Sequence, residues 1–244
     1  MKPTKIVSHD DWLAARKVLL AREKEFTRAR DDLSAARRAL PWERLETDYV
    51  FDGPDGARSL TDLFDGRSQL MIYHFMMGPG WTAGCKSCSL LADQFDPAIV
   101  HLNARDVSFV AVSRAPWAEI APFKARMGWS FDWVSSAANG FNRDFHISFT
   151  DDEIASGSVY YNYHMNTFPE TEAPGLSVFA RDDNMGGDGA VYHTYSTFGR
   201  GLDMFLTNYH FLDHTPKGRD EDDLPYPMDW VRHHDRYAAD SPAM

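Results

Sequence analysis

The feature that most constrains the fold is a pair of cysteines three positions apart, Cys85 and Cys88, which are the only cysteines in the chain. The apolar run at 69–77 before them is typical of a buried strand, and residues 89–95 after them have the pattern with which a helix begins. Two thiols at this spacing at the head of a helix can close a disulfide and open it again. The fold must therefore arrange a strand, a loop and a helix N-terminus around these thiols.

Composition and charge narrow the class of protein. The 244 residues are 43% apolar and 14% aromatic, as in an ordinary globular chain, and the formal net charge is -11. This charge disfavours binding to nucleic acid and to anionic membranes, so we expect neither as a partner. Residues 1–8 lack a secretory signal, and no segment reaches the roughly 18 apolar residues of a membrane span, which predicts a cytoplasmic protein. Structural disulfides are rare there, so the cysteine pair is expected to be catalytic, redox-sensing or metal-binding, with two idle buried thiols as the alternative.

The N-terminal residues predict one long helix. Ser8 is placed to cap it, and Pro41 ends it after about Leu40. An apolar stripe repeats every seven residues along this helix, at Trp12, Leu19, Phe26, Leu33 and Leu40. A stripe this narrow packs along another surface, either the chain's own domain or a second copy in a homodimer.

The remaining pattern predicts an α/β fold. Strands at 69–77, 107–113 and 131–135 alternate with helices from the cysteines to about Arg105 and at 117–127. Such alternation is typical of βαβ units with parallel strands. Residues 176–180 and 190–195 predict an antiparallel hairpin around a turn at 182–189, and a final helix is expected at 201–212.

This order predicts a thioredoxin-like fold: a central mixed β-sheet flanked by helices, with the long N-terminal helix and an insertion before the C-terminal hairpin. The expected divisions are a helical extension at 1–45, a thioredoxin-like domain at 46–215 with its insertion at about 137–173, and an extended tail at 216–244.

The sequence resembles the bacterial thioredoxin-like domain-of-unknown-function 899 family. The matching stretches are residues 23–31, 40–42, 66–76, 84–89, 111–116, 127–129, 193–196 and 218–221. They span most of the chain, and the resemblance implies the thioredoxin-like fold. It implies no particular activity, because the family is named for lacking one and a fold does not fix a function.

The cysteine chemistry predicts a thiol-disulfide oxidoreductase. Cys85 is the expected nucleophile, because free N–H groups at a helix N-terminus stabilise a thiolate. Cys88 would resolve the mixed disulfide. Lys86 would add positive charge beside the thiolate, and Ser87 and Ser89 would donate hydrogen bonds to sulfur. The cycle needs no bound cofactor, only a protein or low-molecular-weight thiol or disulfide substrate and a reducing partner.

Further residues are candidates to support the site, each with a structural alternative. Trp81 lies four residues before Cys85, and Pro174 is the best-placed residue for the cis-proline that a thioredoxin-like site has opposite its cysteines. His74 is a candidate proton acceptor or a hydrogen-bonded core residue. Arg114 would hold an anionic substrate group or form a structural ion pair; Trp117 lies near it at the same sheet edge.

The segment 160–164, rich in tyrosine, offers a lid over the cysteines, with packing of the insertion against the sheet as the favoured alternative.

Two other functions remain open from the sequence. In a copper or zinc module, Cys85 and Cys88 would form half a site that a histidine such as His74, His164 or His193 completes. His210 and His214, four apart on a helix, form a weaker pair. In a noncatalytic interaction module, the long N-terminal helix would bind the partner. A peroxidase is less favoured, because the sequence before Cys85 lacks the threonine-rich, proline-bearing approach to a peroxidatic cysteine.

Overall fold

The computed structural model describes residues 4–181 and 189–239 and divides the chain into two compact units, Met1–Trp42 and Glu43–Met244. The first unit contains α1 (His9–Arg38). The Ser8 side chain accepts a hydrogen bond from the backbone N–H of Asp11, which confirms the predicted N-cap. No residue of α1 is buried, so its apolar stripe lies open along the helix.

The second unit is built from short elements. Its first strands are β1 (Glu43–Arg44), β2 (Val50–Gly53), β3 (Gly56–Ser59), β4 (Gln69–His74), β5 (Val107–Ser113) and β6 (Asp132–Ser135). Its later strands are β7 (Val159–Tyr161), β8 (His164–Asn166), β9 (Gly175–Arg181) and β10 (Val191–Phe198). Its helices are α2 (Lys86–Ala92), α3 (Phe95–Asn103), α4 (Trp117–Arg126), α5 (Phe141–Asp144), α6 (Asp151–Ala155) and α7 (Thr207–Asp213), with 3-10 turns at Asp62–Phe64, Gly199–Phe205 and His234–Ala239.

The main sheet has the strand order β1-β10-β9-β4-β5-β6-β2-β3. Strands β4, β5 and β6 are parallel, and β9, β10 and β1 continue the sheet from β4 in antiparallel pairs. The unit β4-helix-β5, followed by the hairpin β9-β10 and the closing helix α7, with β4 central between β9 and β5, is the thioredoxin-like arrangement. The predicted fold class is therefore confirmed.

Two apolar clusters cover the two faces of this sheet. The cysteine-side cluster includes Tyr73, Cys88, Leu91, Phe95 and Trp133. The insertion-side cluster includes Leu70, Ile72, Val112, Phe141 and Phe179. Because side chains alternate along a strand, neighbouring residues of β4 serve opposite clusters.

Several predicted elements differ in detail. The helix after the cysteines is interrupted at Asp93 and Gln94, because Pro97 has no N–H to donate to the carbonyl of Asp93. The predicted closing helix is a 3-10 turn followed by α7. The hairpin is confirmed, but residues 182–188 of its predicted turn lie outside the described residues.

The segment between β6 and β9 contains α5, α6 and the two-stranded sheet β7-β8. Helix α6 begins with a capping box, in which Thr150 and Glu153 satisfy each other's backbone N–H groups. No helix in the described ranges is long and apolar enough to span a membrane.

Residues 226–235, which we call the C-terminal strap, cross the surface beside α2. Val231 is fully buried there, and Met228 and Trp230 pack against the cysteine-side cluster. Glu221 fixes the strap by accepting hydrogen bonds from the Trp230 indole at 2.7 Å and from the Met228 backbone at 3.0 Å.

Candidate functional site

The loop that carries Cys85 is a direct continuation of the central strand. After β4, the Phe75 N–H still bonds the Val112 carbonyl of β5 at 2.9 Å, and the Cys85 N–H returns to the Met76 carbonyl at 3.0 Å. Gly84 makes this return possible: a Cβ there would lie 2.7 Å from the Phe123 ring and closer still to the Phe75 ring. The glycine lets the chain pass between two aromatic rings and place Cys85 as the N-cap of α2.

Cys85 is the more acidic of two free thiols. It is partly exposed, and the pKa of its thiol is lowered to about 7. The main cause is a hydrogen bond from the Cys88 thiol, helped by the backbone N–H groups of Cys88 and Ser87 and by the charge of Lys86, while burial opposes the shift. These donors belong to the first turn of α2, so the predicted nucleophile lies where the helix stabilises a thiolate.

Cys88 has the opposite character. It is 2% exposed, and burial raises the pKa of its thiol well above the ordinary value. The Tyr73 hydroxyl lies beside it as a hydrogen-bond donor, which alone would lower the pKa of Cys88. Burial also raises the pKa of Tyr73, so this phenol keeps its proton and stays a donor. The site therefore pairs an accessible acidic thiol with a buried protonated one.

The residues between and after the cysteines act partly as predicted. Lys86 is beside the Cys85 thiol, but its Nζ also donates to the Asp229 carbonyl of the strap at 3.0 Å. Ser87 supports the Cys85 sulfur through its backbone N–H. The Ser89 hydroxyl donates to the Cys85 carbonyl at 2.9 Å, so the prediction that it bonds sulfur is wrong.

His74 does not lie at the cysteines. It is fully buried on the opposite face of the sheet, against Phe141 and Phe145 of the insertion-side cluster. Its Nε2 bonds the Ser177 hydroxyl at 2.7 Å, and burial lowers the pKa of its imidazole to about 3. His74 is therefore the hydrogen-bonded core residue of the predicted alternative. The role of proton acceptor beside the thiols is wrong, because strand alternation turns Tyr73, not His74, toward them.

The other predicted supporting residues lie in packed or ion-paired positions. The Arg114 guanidinium pairs with the buried carboxylate of Glu172 at 2.5 Å, as the ion-pair alternative predicts. Trp81 and Trp117 pack against the cysteine-side cluster. Pro174 precedes β9 as predicted, but its peptide bond is trans, since the described residues contain no cis peptide bond.

The tyrosine segment packs mainly over the other face of the sheet. Tyr161 belongs to the insertion-side cluster, and its hydroxyl donates to the Pro174 carbonyl at 2.7 Å and accepts from the Gly199 N–H at 2.8 Å. Tyr160 and Tyr163 line a cavity on that face. The favoured packing alternative therefore describes the segment better than a lid over the cysteines.

The structure does not bring the predicted metal ligands together. His74 lies across the sheet from Cys85 and Cys88, against Phe141 and Phe145. The part of the chain that the structure describes contains no cluster of three histidine, cysteine or acidic groups suited to a metal ion.

The C-terminal strap is a part of the site that the sequence analysis missed. His233 Nε2 donates to the Gly84 carbonyl at 2.9 Å, while Asp229 holds Lys86. The strap therefore holds the residue before Cys85 and the residue after it. Acidic, proline-bearing composition gave no signal for this contact. The alternation of β4 predicts that Tyr73 and His74 lie on opposite faces of the sheet, but it does not say which face meets the cysteines.

Fold and site define a thioredoxin-fold protein with two free thiols at the N-terminus of the helix that follows the central strand. A family model described as bacterial protein of unknown function (DUF899) matches residues 1–237, and the chain belongs to this family. A comparison with curated proteins finds no match to the sequence.

Solved structures with similarity to this chain include three proteins of 13% or 14% identity. The chain matches peroxidoxin BcpB from Mycobacterium tuberculosis with a TM-score of 0.45 and 13% identity, over 69% of this chain and 94% of that one. It matches a protein described as thiol:disulfide interchange protein DsbE from Chlorobium tepidum with a TM-score of 0.41 and 14% identity, over 70% and 98% of the two chains. It matches thioredoxin peroxidase I from Plasmodium yoelii with a TM-score of 0.42 and 14% identity, over 80% and 99%.

Proposed function

We propose that this protein is a thiol-disulfide oxidoreductase in which Cys85 attacks and Cys88 resolves. The observation that carries the proposal is the different placement of two adjacent thiols: Cys85 is the partly exposed N-cap of α2, whereas Cys88 is 2% exposed. The pKa of Cys85 is lowered to about 7, and burial raises the pKa of Cys88. Near neutral pH the accessible sulfur is substantially thiolate, and the buried sulfur holds its proton until it is needed.

The cycle is balanced by the two cysteines and a disulfide substrate. The Cys85 thiolate attacks one substrate sulfur, forming a mixed disulfide and releasing a substrate thiolate. Cys88 then loses its proton, attacks the Cys85 sulfur and releases the second substrate thiol. The protein is left as the Cys85–Cys88 disulfide, and two thiols from an external reductant restore it. The Tyr73 hydroxyl is placed to donate to the Cys88 thiolate as it forms.

The strap supports a preference in substrate. Because it holds Gly84 and Lys86 on both sides of Cys85, it limits the surface on which a folded protein can dock. We therefore favour a low-molecular-weight disulfide, or an exposed disulfide on an extended peptide, as substrate.

The test is a thiol titration of metal-free protein in glutathione buffers of graded redox potential, with Cys85→Ser and Cys88→Ser as matched controls. We expect a reversible two-electron transition that both variants abolish. Cys88→Ser should accumulate a glutathione adduct on Cys85, and Cys85→Ser should accumulate little, because Cys88 is buried.

Two thiols that stay reduced across the whole range, in a folded protein, would contradict the proposal. An adduct that forms equally well on either cysteine would contradict the assignment of roles.

A further inference from the structure

A chain of hydrogen bonds crosses four neighbouring strands on the face of the sheet away from the cysteines. His74 Nε2 bonds the Ser177 hydroxyl, Ser177 bonds the Ser196 hydroxyl, and Ser196 bonds His193 Nε2, each at 2.7 Å. His193 Nδ1 then meets Glu43 Oε2 at 3.4 Å. These residues lie on β4, β9, β10 and β1, which are adjacent in that order.

A bulge in β10 creates the contact between His193 and Ser196. Residues three apart on a regular strand point to opposite faces. Here His193 pairs with Phe179 and Tyr195 pairs with Val178, so Thr194 is an extra residue in the strand. The bulge turns His193 and Ser196 to the same face, as bulges beside active sites do.

The order of protons along the chain follows from its two ends. A Glu43 carboxylate can only accept, so His193 carries its proton on Nδ1 and accepts from Ser196 at Nε2. Ser196 then accepts from Ser177, and Ser177 accepts from the Nε2–H of His74. This order leaves a lone pair, not an N–H, on His74 Nδ1, which is one of the buried side-chain atoms without a hydrogen-bond partner in the described part of the chain. It also agrees with a His74 that burial keeps neutral.

The chain ends at an open cavity of about 530 Å³, a size suited to a small molecule. Glu43, His193 and Ser196 all line it. His146 and Asn162 line it too and carry side-chain N–H groups that can donate to an oxyanion.

The cavity wall also holds unusual backbone. His146, Asn162 and Tyr163 have φ values of 54°, 54° and 66°, in the left-handed region that non-glycine residues seldom adopt. This backbone conformation is strained, so the surrounding structure must hold it in place. Such strained residues are concentrated at functional sites.

We propose that Ser196, His193 and Glu43 form a second catalytic site, a Ser–His–Glu triad that transfers the acyl group of small uncharged esters to water. The geometry has the roles of such a triad: a nucleophile bonded to a base, and a base oriented by a carboxylate. Three carboxylates, Glu43, Glu46 and Asp144, line the cavity against the single guanidinium of Arg44, so esters that carry a negative charge are excluded.

The reaction is balanced by ester and water. Ser196 Oγ bonds the carbonyl carbon while its proton moves to His193 Nε2, and that proton leaves with the alcohol as the ester bond breaks. Water then attacks the acyl carbon, giving its proton to His193. The Oγ–carbon bond breaks, Ser196 recovers the proton, and the acid is released. Glu43 is a positioning residue that holds the tautomer of His193.

The test uses full-length protein that carries Cys85→Ser and Cys88→Ser, so that no thiol can be acylated. A fluorophosphonate probe should form one adduct, mapped to Ser196 by peptide mass, and p-nitrophenyl acetate should be hydrolysed. Ser196→Ala should lose both activities, and His193→Gln should slow labelling by about 100-fold or more. Ser158→Ala, which changes an exposed serine elsewhere, should label at the full rate.

Nitrogen NMR of the unmodified protein tests the proton order without any variant. We expect the Nδ1–H tautomer for His193 and the Nε2–H tautomer for His74. Absence of a Ser196 adduct at saturating probe, equal labelling of His193→Gln, or the reversed tautomers would each overturn the proposal.

Discussion

At the scale of single residues, Cys85 and Cys88 show how environment divides one residue type into two roles. The two thiols are three positions apart, yet one is partly exposed among N–H donors and the other is 2% exposed beneath Tyr73. The donors favour a thiolate at Cys85, and burial disfavours one at Cys88.

This difference predicts the pH dependence of alkylation. In the Cys88→Ala variant, the rate at which iodoacetamide modifies Cys85 should rise with pH as the Cys85 thiol ionises. The midpoint of this rise should lie somewhat above 7, because the variant lacks the Cys88 thiol, whose hydrogen bond helps to lower the pKa of Cys85 to about 7. Lys86→Gln should move the midpoint upward, since it removes a positive charge. Lys124→Gln, a lysine on α4, is the matched control; an equal shift there would refute the local role of Lys86.

His74 predicts an acid-sensitive stability. Its ordinary pKa is 6.5 and burial lowers it to about 3, so between these values the unfolded chain binds a proton that the folded protein does not. The free energy of unfolding therefore falls as pH drops from about 6.5 toward 3, by about 1.4 kcal/mol per pH unit from this residue.

Urea unfolding between pH 5 and 7 measures how the free energy of unfolding changes with pH. This range is chosen because most carboxylates titrate below it. The slope of unfolding free energy against pH should be smaller in His74→Gln than in the unmodified protein. Equal slopes in the two proteins would show that His74 does not remain neutral when buried.

Residue roles were only partly predictable from the sequence. The position of Cys85 at a helix start predicted its acidity, because that effect is local. Of the two roles predicted for His74, the core residue is confirmed and the proton acceptor is wrong. The pattern of β4 gives two alternating faces without saying which one meets the thiols. The sequence did not indicate a contact between Ser196 and His193, because residues three apart on a regular strand face opposite sides of the sheet. Only the bulge in β10 brings the two side chains to the same face.

At the scale of elements, the cysteine loop depends on close packing at Gly84. A side chain there would enter the space of the Phe75 and Phe123 rings. Gly84→Ala should therefore cost about 1–3 kcal/mol of unfolding free energy, as overpacking does. It should also displace Cys85 from the N-terminus of α2 and raise its alkylation midpoint.

Chemical denaturation and alkylation of the same samples test this prediction. Ala83→Ser, at the neighbouring position, is the matched control and should change both values little. A Gly84→Ala protein as stable as the unmodified one would show that the rings move aside freely.

The elements themselves were predictable where the signal was periodic. The strands at 107–113 and 131–135, the hairpin and the N-cap at Ser8 follow from local pattern and are present. The interruption after Ala92 was missed although Pro97 carried the signal, and the strap was missed because its contacts are entirely long-range.

At the scale of the whole molecule, α1 predicts self-association. Phe26 and Leu33 of its seven-residue stripe are 70% and 52% exposed, and an apolar repeat of seven residues favours packing against another helix. We expect the full chain to sediment as a dimer at micromolar concentration, and Phe26→Glu to shift it toward monomer. Lys24→Glu, off the stripe, should leave the dimer intact; a monomer at every concentration would contradict the prediction.

The central strand links both faces of the molecule. Tyr73 contacts the Cys88 thiol on one face of the sheet, and the adjacent His74 ends the hydrogen-bond chain on the other face. Which face each side chain meets depends on its position in the alternation of β4. Inserting or deleting one residue between Gln69 and His74 would turn the side chains on one side of that change to the opposite face of the sheet. Relatives of this protein can therefore differ in the composition of this strand far more readily than in its length.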